Sequence, residues 1–232
     1  MLFRSEGELS KETAIMNWRS EKYGVEAAKK GHKVVMSPTA YAYLDYVQGE
    51  PTIEPPIYAN LRAIKTYSFE PVPEGIDPTF ILGGQGNLWT EEVPNLRHAQ
   101  YMVYPRAWAL SEVFWTPKKH KNWDNFCLRM EKHFERADIA GINYSRAVYD
   151  PIIQTRKKEG SLVLVMSTEI TGLDIHYTID GSMPDSFSPK YSEEVKLPEG
   201  PITLRVKAYR NGKPVSHLIT LKRDLLEKRG MN

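Results

Sequence analysis

The chain has 232 residues, 41% of them hydrophobic and 26% charged, with a formal net charge of +2, which allows one large domain or two small ones with packed cores. So small and scattered an excess of Lys and Arg leaves no footprint for nucleic acid, no run reaches the roughly 18 apolar residues of a membrane span, and Met1 to Glu6 lack the apolar stretch of a signal peptide. The single cysteine, Cys127, excludes an internal disulfide and a cysteine-based zinc site, so no metal or cofactor is expected, and it reads as a buried helix residue.

In chain order, Ala14 to Trp18 reads as a strand and Glu21 to Lys30 as a helix closed by Gly31. Val34-Val35-Met36 is a second strand ending at Ser37-Pro38. A helix from about Ile57 to Lys65 follows, then a loop built on Pro71-Val72-Pro73 and Asp77-Pro78. A third strand is expected at Phe80-Ile81-Leu82 and a long helix from about Leu96 to Phe114. This alternation implies parallel strands covered by helices. A further helix, about Trp123 to Arg136, carries Phe126, Met130, His133 and Phe134 on one packing face, which makes His133 structural.

After Asp150-Pro151 the period shortens to two. Leu162 to Met166, Asp174 to Ile179 and Ile202 to Tyr209 alternate as strands, and Asp180-Gly181, Glu199-Gly200 and Asn211-Gly212 mark turns. A small antiparallel sandwich is expected over 149–232, behind an α/β domain over 1–148. The run Leu221 to Leu226 leads into a charged, Gly-containing tail expected to fray.

Chemistry concentrates where the parallel strands end, because the loops of such sheets open onto the ligand crevice at their carboxyl ends. Trp18 ends the first strand, Tyr43-Leu44-Asp45 follows the second, and Gly83-Gly84-Gln85-Gly86-Asn87-Leu88-Trp89-Thr90-Glu91 follows the third. An indole packs against the C–H face of a pyranose, a carboxylate accepts from ring hydroxyls, and glycines allow close backbone approach. Taken singly, Trp89 fits equally a core residue beside an N-cap Thr. Trp18 could likewise cap a core, and Asp45 could simply form a turn. Their shared phase in the repeat favours the sugar platform.

The segments Met16-Asn17-Trp18-Arg19, Gly31 to Pro38, Tyr43-Leu44-Asp45-Tyr46 and Gly84 to Glu91, in that order, resemble the last part of the catalytic barrel of glycoside hydrolase family 20, the β-N-acetylhexosaminidases. Tyr104-Pro105-Arg106-Ala107-Trp108-Ala109-Leu110-Ser111-Glu112 resembles that family's closing barrel helix. Tyr177 to Pro184 with Ser188-Pro189-Lys190-Tyr191 resembles its chitobiase-type C-terminal sandwich. The resemblance implies the C-terminal part of a (β/α)8 TIM barrel, about three of eight units, followed by the sandwich. It also implies removal of terminal N-acetylglucosamine or N-acetylgalactosamine from glycans with retention, the substrate's own acetamido oxygen acting as nucleophile. On that basis Trp18 is a wall of the acetamido pocket and Trp89 the surface under the sugar. Tyr43 is the hydroxyl on the acetamido oxygen, and Asp45 and Glu91 are the carboxylates holding the outer hydroxyls.

The family carries its general acid and its orienting carboxylate as an adjacent Asp-Glu pair, and no Asp-Glu dipeptide occurs here. The general acid/base pair is therefore expected to be absent and the isolated chain inactive. Self-association, or pairing with an N-terminal barrel half, is expected to cover the strand edges, and a periplasmic or extracellular location is expected for a full-length parent. A non-catalytic N-acetylhexosamine-binding protein or one half of a split enzyme are the alternatives.

Overall fold

The computed structural model describes residues 9–55 and 57–229. It contains two compact units, one made of the chain up to Asp45 with Ala63–Tyr144, the other of Tyr46–Arg62 with the chain from Ser145 onward.

The first unit is built on a parallel three-stranded sheet in the order β1 (Ile15–Asn17), β2 (Val34–Met36), β3 (Ile81–Gly84), with Asn17 beside Met36 and Met36 beside Gly84. Helix α1 (Glu21–Lys29) connects β1 to β2; the Ser20 side chain caps it by accepting from the Lys22 N–H. Short α2 (Thr39–Ala42) and α3 (Ala63–Tyr67) precede β3, and α4 (Leu96–Val103), α5 (Arg106–Trp115) and α6 (Trp123–Ala140) follow it. Helix and strand alternate as expected, and Cys127 is buried on α6 beside Phe126, Met130 and Phe134. Gly141 ends α6 in the left-handed region at φ 66°. His133 stacks on Trp108 with ring centroids 5.1 Å apart, and burial lowers its pKa.

Two helices differ from expectation. The long helix from Leu96 to Phe114 is two, because Pro105 offers no N–H and holds Tyr104 extended at ψ 139°. No helix covers 57–62, because that backbone pairs with the segment before it: the Leu61 N–H donates to the Val47 carbonyl at 2.8 Å, the Val47 N–H to Ala59 at 3.1 Å, and the Asn60 amide to Gly49 at 2.6 Å. Helix begins only at Ala63.

The second unit holds two antiparallel sheets. One is β4 (Ile152–Lys158), β5 (Ser161–Ser167) and β7 (Val195–Lys196). The other is β6 (Asp174–Thr178), β8 (Thr203–Arg210) and β10 (Ile219–Lys222), with β9 (Lys213–Pro214) on β8. Ile153, Leu162, Leu164 and Met166 from the first sheet and Ile175, Leu204, Val206, Ile219 and Leu221 from the second share one apolar cluster, the alternating faces meeting as the two-residue period requires. β4 is not marked by its own sequence, since Arg156-Lys157-Lys158 is wholly polar; it pairs residue for residue with β5 across the tight Glu159-Gly160 turn, both residues at positive φ. The run from Leu221 enters α7 (Arg223–Arg229), whose Leu226 is wholly buried in the same cluster and which carries helix into the tail expected to fray, as far as Arg229. Residues 230–232 of that tail lie outside the described residues.

Candidate functional site

The carboxyl ends of the three parallel strands are joined by main-chain hydrogen bonds. Beyond β1, the Asn17 and Trp18 carbonyls accept from the N–H groups of Ser37 and Thr39, at 2.8 and 2.9 Å. Beyond β2, the Met36 carbonyl accepts from Gln85 at 3.0 Å, Asn87 donates to Ala42 at 2.8 Å, and Leu44 donates to Asn87 at 2.6 Å. Side chains extend the ladder: the Ser37 hydroxyl donates to the Gln85 carbonyl, the Asn87 amide to Ser37 Oγ, and the Gln85 amide to Asn87 Oδ1. The loops bearing Trp18, Tyr43, Asp45, Trp89 and Glu91 are therefore held to one another.

Within this frame the side chains differ in exposure. Trp18 and Trp89 present half their surface to solvent, at 46% and 53%, so neither is a core indole. Nor does Thr90 cap the helix; Asn95 does, accepting from the His98 N–H at 2.9 Å. Arg19 lies over the Trp18 ring, 4.9 Å from its centroid. Tyr43 is buried, bridged to Asn87 in parallel register, and Glu91 is exposed.

Asp45 has its ionisation shifted by its surroundings. It is 93% buried by surface, and Oδ1 has no hydrogen-bond partner, a costly state for a carboxylate unless something else approaches it. Burial pushes its pKa up; the backbone N–H groups of Asp45 and Trp89 and the Arg106 charge oppose that, and Glu91 adds to it. Asp45, Trp89 and Glu91 are thus brought together, as their phase in the repeat suggested. Such a set can accept hydroxyl donors beside the exposed Trp89 ring.

Two glycines of the Gly83 to Glu91 segment make room for a helix. A Cβ on Gly84 would fall 2.2 Å from Phe114 Cε1, and one on Gly86 would fall 2.6 Å from Leu110 Cδ1. At both positions the backbone lies against side chains of α5. Sequence reasoning also passes over Arg106, whose wholly buried guanidinium donates to the Leu44 carbonyl at 2.6 Å. Its signal is a lone Arg among apolar residues at the start of a helix. Among the described residues no cluster of His, Cys, Asp and Glu could hold a metal ion, and no helix is long and apolar enough to cross a membrane.

Comparison with known proteins places this geometry in context. The model of the catalytic domain of glycosyl hydrolase family 20 matches residues 2–118, and the Fn3-associated model matches 164–222. The chain is 38% identical over 146 residues to a β-hexosaminidase of Porphyromonas gingivalis, covering 60% of this chain and 18% of that protein. It is 22% identical over 225 residues to the N,N'-diacetylchitobiase of Vibrio harveyi, covering 78% of this chain and 26% of that one. Among solved structures, the family 20 exo-β-N-acetylglucosaminidase of Vibrio harveyi in complex with N-acetylglucosamine aligns with a TM-score of 0.56 and 35% identity, over 60% of this chain and 23% of its own. The chain thus spans about a fifth to a quarter of the length of these relatives.

Proposed function

We propose that this chain, which belongs to glycosyl hydrolase family 20, is the sugar-holding C-terminal part of a β-N-acetylhexosaminidase that removes terminal N-acetylglucosamine or N-acetylgalactosamine from glycans. The observation that supports this reading is that the loops bearing Trp18, Tyr43, Asp45, Trp89 and Glu91 are hydrogen-bonded to one another at the ends of three parallel strands, with Glu91 and the Trp89 N–H acting on Asp45, in a chain of that family. The sheet of the first unit is read as three strands of an eight-stranded barrel, and the two sheets of the second unit as the C-terminal sandwich.

In this reading Trp89 lies under the sugar ring and Trp18 walls the acetamido group. Compressed by that wall and aligned by a hydrogen bond from the Tyr43 hydroxyl, the acetamido oxygen attacks the anomeric carbon as the bond from that carbon to the leaving oxygen breaks. Asp45 and Glu91 accept from the outer hydroxyls and fix the ring. No Asp-Glu dipeptide is present, so protonation of the leaving oxygen falls to residues outside these 232. The outer strands β1 and β3 expose Met16 and Leu82, at 46% and 59%, which fits closure against further barrel strands.

Calorimetric titration with N-acetylglucosamine tests the pocket: binding by the chain, abolished in Trp89→Ala, is expected, and no binding by a folded chain refutes it. A chromogenic N-acetylglucosaminide tests the chemistry. No turnover is expected, since loss of a general acid costs a factor of about 100 to 10,000 in rate; turnover by contaminant-free protein would overturn the assignment of the acid to residues elsewhere.

A further inference from the structure

Arg106 is the largest wholly buried side chain in the described protein. A guanidinium withdrawn from water persists only where its N–H groups and its charge are compensated. Its Nη2 donates to two carbonyls, each at 2.6 Å: Met102, in the last turn of α4, and Leu44, in the strand-end loop. The first contact satisfies a carbonyl that the end of α4 leaves without a helical partner. The second reaches the peptide joining Leu44 to Asp45. Leu44 is held from the other side too, by its own N–H on the Asn87 carbonyl, and its side chain packs where Gly86 leaves room.

Resting on the sugar-pocket reading, we propose that Arg106 is a positioning residue of that pocket, its guanidinium clamping the Leu44 carbonyl so that Tyr43 and Asp45 on either side are presented in register. The same guanidinium supplies the positive charge acting on Asp45, against desolvation and the opposing charge of Glu91 from the loop after β3. Arg106 touches no sugar in this scheme. It acts through Leu44 and through the ionisation of Asp45, and it is set by the α4–α5 junction that Pro105 creates.

The test uses the full chain carrying Arg106→Gln, Arg106→Lys and, as an exposed control, Glu91→Gln. The Asp45 carboxyl is titrated by 13C NMR without sugar, its resonance assigned by its loss in Asp45→Asn, and N-acetylglucosamine binding is measured by calorimetry across pH. Arg106→Gln should raise the Asp45 midpoint and weaken binding about tenfold or more at neutral pH, the loss expected for a charged buried hydrogen bond. Glu91→Gln should lower the same midpoint. If Arg106→Gln does not fold, Arg106→Lys decides: with the charge kept and the planar fork lost, the midpoint should stay near wild type while the Leu44 carbonyl resonance moves and binding weakens. An unchanged Asp45 midpoint in folded Arg106→Gln, or wild-type binding and an unmoved Leu44 carbonyl in Arg106→Lys, would overturn the proposal. Absence of binding by the wild type would instead refute the pocket, while the sugar-free titration still reads the clamp.

Discussion

Replacing Gly84 with Ala separates a glycine kept for helix packing from one kept for a ligand. The backbone at Gly84 is not in the left-handed region, so alanine incurs no conformational strain there and by itself would gain slightly from a stiffer unfolded chain. The cost is steric. The new methyl would lie 2.2, 2.5 and 3.0 Å from Cε1, Cζ and Cδ1 of Phe114. That ring has little freedom, since it meets the wholly buried Phe69 edge-on at 6.3 Å, and Phe69 is stacked on Tyr41. Overpacking of this kind costs about 1 to 3 kcal/mol. All five tryptophans, residues 18, 89, 108, 115 and 123, lie in the first unit, so guanidinium unfolding followed by tryptophan fluorescence reports on that unit alone. Gly84→Ala should lower the midpoint. Because Phe114→Leu removes the clashing ring atoms, the double variant should be less destabilised than the sum of the singles by at least about 0.5 kcal/mol. A Gly84→Ala midpoint at or above wild type, or strict additivity, would refute the packing argument.

In the second unit, Leu226→Ala should cost about 2 to 5 kcal/mol, as for any wholly buried leucine; amide hydrogen exchange in β8 reads it, and unaltered protection would mean that α7 does not seal the cluster. His217 is held by the buried Asp150, which accepts from its backbone N–H and from Nδ1 at 2.9 Å, and this contact raises the histidine pKa despite partial burial. A pKa raised on folding stabilises fully below the unfolded value, about 6.5, and the benefit fades as pH rises through the folded value. The thermal midpoint of wild type minus that of His217→Gln should therefore shrink from pH 6 to pH 8, modestly because the ring is half-exposed; a difference that grows would show the sign to be wrong. Asp45 has its pKa raised chiefly by desolvation, so its ionised form costs stability above the folded value. Asp45→Asn should keep or raise the fluorescence-detected midpoint at pH 7 while abolishing N-acetylglucosamine binding, and a lower midpoint would show that the charge is structural.

Strands β1 and β2 and helices α1 and α6 are legible because each is a local pattern: an apolar run or a helical stripe, α1 bounded by Ser20 and Gly31 and α6 opened by Asn122, whose side chain accepts from the Asn125 N–H, and closed by Gly141. The break at Pro105 is legible in principle too, though the apolar periodicity runs through it and hides it. The segment 57–62 is different. Its composition permits helix, and only the pairing of Leu61 and Asn60 with Val47 and Gly49 decides otherwise. β4 and α7 belong to the same class, their place set by the turn at Glu159-Gly160 and by the apolar cluster that Leu226 completes.

The sequence by itself determined the alternation of strands and helices, the change to a two-residue period after Asp150, and the side chains gathered where the parallel strands end, because each of these is written in residues a few positions apart. Only the tertiary structure decided that Gly84 and Gly86 make room for Phe114 and Leu110, that Asp45 is buried with an oxygen unpartnered, and that Arg106 holds the Leu44 carbonyl. These are contacts across 20 or more positions, and their energies depend on burial and on which atoms meet, which no local pattern encodes.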